Sequence, residues 1–452
     1  MNNEQELLEL AEYIISYAKE SGADEAEVQA KIVSELESEI ELAQISSVNQ
    51  YSGVEIAIRV VIDKKMGGAF TNIATEEAAR ETVQFAINAA KATSEDPDWI
   101  SFSTPESYAS LGNLWHNEVV QTKPDAIVET TGELIEKASA AEEGLILVGG
   151  ATAVAYAYEA YANSKGVSHA EKGTVAFIAG VAAAQIESGM TPMTISYDIN
   201  RNLDLDLDKT VSELAKRIRL CKTLVKGKTG KQTVVFHPQA YAAFLNYTLI
   251  RSVRGDNVAR GKSMIADKLG DQIASKLFSL SDDGLYPGGT NTSISDDEGV
   301  PRRKTSIIEN GVLRSFLWDT YWANKMSVKS TGNAKRDLRQ GLVEIAHTNL
   351  VVESGKREID EIISEIDHGY YIQSVQGAHS ANPESGDFSV VGNPAFLIED
   401  GKMVGAINGL MVSGNAFSVL ENVVEVAKTP HRLESWIGPE IICNSIDIIA
   451  KE

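Results

Sequence analysis

The sequence predicts an α+β protein of two domains. Helices with an antiparallel sheet and hairpin come first, and a β-rich C-terminal domain with one buried helix follows. Three observations carry this. Apolar spacing switches in blocks between a period near 3.6 and a period of two. Two alternating segments, "AVAYAYEAYA" at 153–162 and "GTVAFIAGVAAAQ" at 173–185, flank the turn signal "NSKG" at 163–166. Past the Gly- and Lys-rich "KGKTGK" at 226–231, one helical segment, "PQAYAAFLNYTLIRSV", is followed by mostly β-type sequence. The boundary is placed near 228, giving domains 1–227 and 228–452.

Each element has its own signal. Leu7, Leu8, Ala11, Ile14, Ile15 and Ala18 make one apolar stripe over residues 4–20, and Gly22 supplies the stop. Alternation over 28–42 and in "VEIAIRVVI" at 54–62 predicts strands, with a turn at "DKKMGG". A second helix is expected over 75–93, with Ala79, Val83, Ile87 and Ala90 inward, and a third starts at Pro124, a residue suited to a first helical turn. Another is expected over 210–224, and "QTVVFH" at 232–237 reads as a strand. The segment from Pro238 carries apolar residues at positions all round the helix and has no Asp, Glu or His through Gly255, so it is expected to be buried on every side.

The charge balance excludes some functions. The chain has 64 acidic and 41 basic side chains, a net charge of -23. Such a chain repels nucleic-acid phosphates and anionic membrane surfaces, so neither is an expected partner. The N-terminus lacks a signal-peptide pattern, and no run approaches a membrane span. Two cysteines 222 positions apart, Cys221 and Cys443, suit a reducing compartment as buried thiols, and the expected location is cytoplasmic. No phosphate-binding glycine motif and no nucleophile elbow occur. The seven histidines are at least eleven positions apart, so the local spacing of a zinc site is missing. The acidic clusters Asp282-Asp283 and Asp296-Asp297-Glu298 read as turn or surface groups, since calcium-loop spacing is absent.

From Arg254 onward a succession of motifs resembles one family. "RGDNVARGKSMIADKLGDQIASKLFSLSDDG" leads to "SISDDEGVPRRKTSIIENGVLRSFLWDTYWANKM", "STGNAKR" and "SGDFSVVGNPAFLIEDGKMVGAINGLMVSGNAFSVLENVVEVA". Upstream, "SGADEAEV", "SGVEIAIRVVIDKKMGGAFTN" and "NSKG" fit the same pattern. Together they resemble the TldD/PmbA family, whose older label is "modulator of DNA gyrase". The resemblance implies a C-terminal metallopeptidase-like domain. In the TldD branch an H-E-x-x-x-H helix and a Cys near the C-terminus hold zinc. Anchored on Gly255-Asp256, those helix positions fall at about Asn246, Tyr247 and Arg251, so the zinc ligands and the general base are absent. Cys443 is read as core.

What remains resembles the PmbA/TldE branch. The resemblance implies a subunit without catalytic residues, metal or cofactor of its own. It would complete a protease chamber for unfolded peptides, with a TldD-like zinc subunit as partner or as a homo-oligomer. By analogy, peptide contacts are assigned to Gly377, His379, Ser385, Gly386 and Asp387. Two alternatives stay open: an active metallopeptidase with unorthodox ligands (His347, His379, His431, Cys443), and a non-proteolytic regulator of a machine such as DNA gyrase.

Overall fold

In the computed structural model, which describes residues 4–187 and 189–450, the opening stripe becomes helix α1 (Glu4–Glu20). It ends at Gly22, whose φ of +97° lies in the left-handed region that glycine tolerates. Strands β1 (Glu25–Glu41), β2 (Gln44–Ile62) and β3 (Lys65–Thr71) follow. Helix α2 (Glu76–Ala92) comes next, capped by the Thr75 hydroxyl, which accepts from Ala78 N–H. A short helix α3 (Asn117–Val120) precedes α4 (Pro124–Ala141), which opens on proline as expected. Then come β4 (Leu145–Asn163), β5 (Ser168–Ile186), β6 (Gly189–Met190), β7 (Thr194–Asn200) and α5 (Leu207–Cys221), the last beginning and ending three residues before the expected span.

These strands form one antiparallel sheet in the order β3-β2-β1-β4-β5, with β6 and β7 both on β5. The expected hairpin is β4–β5, turning at Asn163. β1, β2, β4 and β5 are 17 to 19 residues each, so at ~3.3 Å per residue the sheet runs about 60 Å. Helices α1 and α2 cover one end through Ile14, Val28, Ile58, Val83 and Ile87. Helix α2 lies close because β3 offers Gly67, where a Cβ would come within 2.2 Å of the α2 backbone. Helices α4 and α5 cover the other end through Leu134, Leu147, Leu214 and Ile218.

The second half begins with β8 (Gly230–Phe236), α6 (Pro238–Tyr247) and α7 (Leu249–Ser252). Strands β9 (Leu280–Asp283), β10 (Lys304–Glu309), β11 (Val312–Leu313), β12 (Ala334–Asp337), β13 (Leu342–Ile345) and β14 (Leu350–Val352) follow. Next are β15 (His368–Ile372), β16 (Val375–Gln376), β17 (Asp387–Gly392), β18 (Ala395–Glu399), β19 (Lys402–Ala406) and β20 (Met411–Asn415). The chain closes with β21 (Val423–Val426), β22 (His431–Arg432), β23 (Trp436–Gly438) and β24 (Ile441–Ile449). One sheet is ordered β11-β10-β9-β14-β23-β22. The other runs β16-β17-β20-β24-β8-β15-β18-β19, with β21 also on β24. Helix α6 lies in the core they share: Phe244 stacks on Phe388 at 4.5 Å, and Tyr241 meets Trp436 edge-on at 5.7 Å. Among the described residues no helix is long and apolar enough to cross a membrane.

A buried charge network joins the two halves. Glu27 of β1 receives Arg59 of β2 and Arg336 of β12 on one oxygen and the Tyr161 hydroxyl on the other. Arg59 continues to Glu298 at 3.1 Å. Of the acidic clusters read as turn or surface groups, Asp297 and Glu298 do lie in a turn, but Asp282, Asp296, Asp297 and Glu298 are buried and Asp283 is half-buried. Asp282 accepts from the Asn333 amide and from Thr348 at 2.6–2.8 Å, and Asp296 takes the backbone N–H groups of Glu298, Val300 and Ala334. Carboxylates can be buried where so many donors converge.

Candidate functional site

The helical segment is not closed on every side. It breaks at Thr248 (φ −118°, ψ −86°), whose hydroxyl turns back onto the Phe244 carbonyl at 2.8 Å. Gln239, Ala243, Asn246 and Tyr247 share an open face of α6, and Arg251 is exposed on α7. Tyr241, Phe244, Leu245 and Leu249 point inward and are fully buried. The three positions equated with the zinc motif therefore sit on the helix's accessible side. They do not suit zinc. The Asn246 side-chain oxygen already accepts from Trp436 Nε1 at 3.0 Å, Tyr247 offers a phenol, and Arg251 brings a fixed positive charge.

The residues assigned to peptide contact lie together at the edge of the nine-stranded sheet. Strand β17 is paired along Asp387–Val391 with β20, but β16 covers only Val391 and Gly392 on its other side. Ahead of β17, Ser385 and Asp387 form a polar corner. The Ser385 hydroxyl donates to Asp387 at 2.7 Å, and the Asn415 amide donates to the Ser385 carbonyl and to Asp387. Gly386 has φ +77° with Phe417 so close that a Cβ would lie 2.9 Å from its ring. Gly377, at φ +88°, starts a 3₁₀ turn that holds His379 exposed.

The alternative ligand set is not brought together. His347 borders the cleft between the halves, His379 is exposed, and His431 borders a different cavity. Cys443 is fully buried in β24, paired with Val234 and Val423, and burial raises its thiol far above the usual range. Cys221 is also buried, its thiol pushed up to about 12 by burial. Among the described residues, one group of three potential metal ligands converges within 4.8 Å: His237, His431 and Glu440. No local spacing announced it, because these residues are 194 and 9 positions apart and meet only through strand pairing.

A cavity of 540 Å³ lies where the two halves meet, lined by Lys31, Glu159, His169 and Glu171 from the first sheet and by Asp296 and Lys335 opposite. Lys31 pairs with Glu159 at 2.6 Å, and His169 bonds Ser295 at 2.9 Å. Burial pushes Glu171 from 4.5 up to about 7, with Glu159 adding to the rise against Ile294 N–H and two arginines. Because its folded value is raised, the stabilisation is present below pH ~4 and is lost as pH rises through 7. Glu171→Gln should flatten the fall in melting temperature between pH 5 and 8, by about 1–3 kcal/mol of stability. An unchanged slope in the variant would remove Glu171 from this account.

Two packed sheets with a helix between them, its open face presenting Asn246, Tyr247 and Arg251, make up the C-terminal half. The family model described as the PmbA/TldA metallopeptidase C-terminal domain matches residues 229–450. The crystal structure of TldE from Thermococcus kodakarensis matches with a TM-score of 0.94 at 33% identity, covering 98% of this chain and 100% of that one. The metalloprotease PmbA homolog of Haemophilus influenzae is 25% identical over 434 residues, 94% of this chain and 92% of its own. The metalloprotease TldD homolog of Buchnera aphidicola is 32% identical over 213 residues, 47% of this chain and 44% of its own. The chain belongs to the TldD/PmbA family.

Proposed function

We propose that this chain is the TldE-like, non-catalytic subunit of a TldD-type metalloprotease acting on unfolded peptides. In this reading the catalytic zinc belongs to a TldD-like partner, and the helix face of this chain holds none. One observation carries it: the accessible helix face presents Asn246, Tyr247 and Arg251, which offer neither a zinc donor set nor a general base. The likeness to TldE over the full length supports the branch. The edge of β17 ahead of its short pairing with β16, where Asn382 N–H already holds the Asp387 carbonyl, suits an extended peptide beside Ser385 and Asp387, since a sheet edge offers backbone hydrogen bonds whatever the sequence. A cytoplasmic, oligomeric protein fits the same reading.

The test is reconstitution. Alone, the chain should show no chelator-sensitive cleavage of an unfolded peptide. With a cognate TldD-like chain it should co-elute and raise cleavage about tenfold or more above that chain's own rate, a change of ~1.4 kcal/mol in barrier. Chelator-sensitive cleavage by the isolated chain would overturn the proposal, and so would a partner that works equally well without it.

A further inference from the structure

The convergence of His237, His431 and Glu440 lies apart from the helix face. It arises from the strand ladder. β8 and β24 run antiparallel with Phe236 opposite Ile441, so the next residues beyond the ladder, His237 and Glu440, fall side by side. β22 returns along β23 with His431 opposite Gly438, which carries His431 back to Glu440. The His431 Nε2 to Glu440 Oε1 distance is 3.1 Å, and the two imidazoles are 4.5 Å apart, centre to centre, and steeply inclined.

One feature of the cluster is unfinished as a purely hydrogen-bonded arrangement. His237 is 3% exposed, yet its Nε2 is buried with no partner. A buried polar atom left unpaired is destabilising unless something completes it. Its Nδ1 accepts the Gln239 N–H at 3.2 Å, which leaves Nε2 as the ring atom without a partner. Burial keeps this imidazole neutral, with His431 and Arg217 acting in the same direction. Glu440 is 3% exposed and stays ionised: burial opposes the charge, but His431 and the Tyr371 hydroxyl outweigh it.

The cluster is also reachable. It borders a cavity of 310 Å³ whose charged lining comprises Glu213, Glu358, Asp360 and Glu440 against Lys216 and Arg217. Glu213 is paired with Arg217 and Glu358 with Lys428, which leaves Asp360 and Glu440 against Lys216, a net of −1. Such a lining attracts a cation.

We propose that His237, His431 and Glu440 bind one divalent transition-metal ion of the zinc type, which ties the ends of β8, β22 and β24 together. Two imidazole nitrogens and a carboxylate oxygen are a donor set that zinc and cobalt(II) accept. The Tyr371 hydroxyl donates to Glu440 Oε1, the same oxygen that faces His431, and so fixes the carboxylate as outer partners commonly do for metal ligands. The site is structural. It does not restore catalysis at α6, so it stands or falls separately from the subunit assignment above.

The test uses the full chain stripped with chelator, dialysed, and titrated with zinc chloride, then cobalt(II) chloride. Wild type should retain one zinc per chain, melt at a higher temperature with zinc, and give a visible cobalt spectrum. His431→Ala removes a partly exposed ligand, so folding should survive while affinity falls about 10–100-fold. His379→Ala, which removes an exposed histidine elsewhere, should leave the stoichiometry at one. No retained zinc in wild type, or equal zinc affinity in His431→Ala, overturns the site.

Discussion

Phe244→Asp is expected to unfold the C-terminal half, whereas Tyr247→Asp, three residues along the same helix, should leave it standing. Phe244 is fully buried, stacked on Phe388 and edge-on to Phe236. Removing the ring alone costs about 3–5 kcal/mol in a core. The new carboxylate would sit among apolar groups with no donor in reach, which adds several kcal/mol more. Against a typical total of 5–15 kcal/mol, that is enough to populate the unfolded state at ordinary temperature. Tyr247 is 39% exposed on the open face, so its substitution should stay within about 1 kcal/mol. Urea titration of both variants decides the matter. A Phe244→Asp midpoint close to wild type would mean that the helix does not pack as described.

The comparison of these two positions shows how far the sequence could be read. The burial of Phe244 and the start of the helix were legible, because Pro238 and the apolar density are local signals. The open face was not. Gln239, Ala243 and Asn246 recur at helical spacing, but an alanine and two amides leave almost no contrast against an apolar background. The break at Thr248 was equally silent, since nothing in the sequence marks that its hydroxyl turns back onto the Phe244 carbonyl. Charged residues misled for the opposite reason. Asp282, Asp296 and Asp297 look like surface punctuation, and only the assembled loops supply the donors that bury them. The cluster at His237 had no signal in one dimension: it follows from Phe236 facing Ile441 across two strands. The peptide edge at β17 came from family resemblance, and its geometry rests on β16 being only two residues long.

The network between the halves should give the other large effect. Glu27 is completely buried, and its carboxylate is the shared partner of Arg59 and Arg336. Burial favours the neutral acid, but the two guanidinium groups outweigh it and hold the carboxyl below its usual range. Glu27→Ala leaves both arginines behind. Arg59 keeps Glu298, but Arg336 keeps only the Asp297 carbonyl, and its Nε and Nη1 already lack partners. Stripping one member from a buried ion cluster costs about 3–5 kcal/mol, because the desolvated charge stays without its counterion. The melting temperature should therefore drop by about 3–5 °C, the unfolding entropy of a 452-residue chain being about 0.95 kcal/mol/K. Arg339→Ala, which breaks the exposed pair with Glu55, should cost less than about 1 kcal/mol. Since the folded pKa of Glu27 is depressed, its contribution is present above the unfolded value near ~4.3 and is lost as pH falls below it, so wild type and Glu27→Ala should converge in acid. A triple replacement, Glu27→Leu with Arg59→Met and Arg336→Met, separates charge from packing. If the penalty is an orphaned charge, the triple variant should recover most of the lost stability. If it melts as low as Glu27→Ala, the network acts through shape at the junction rather than through charge.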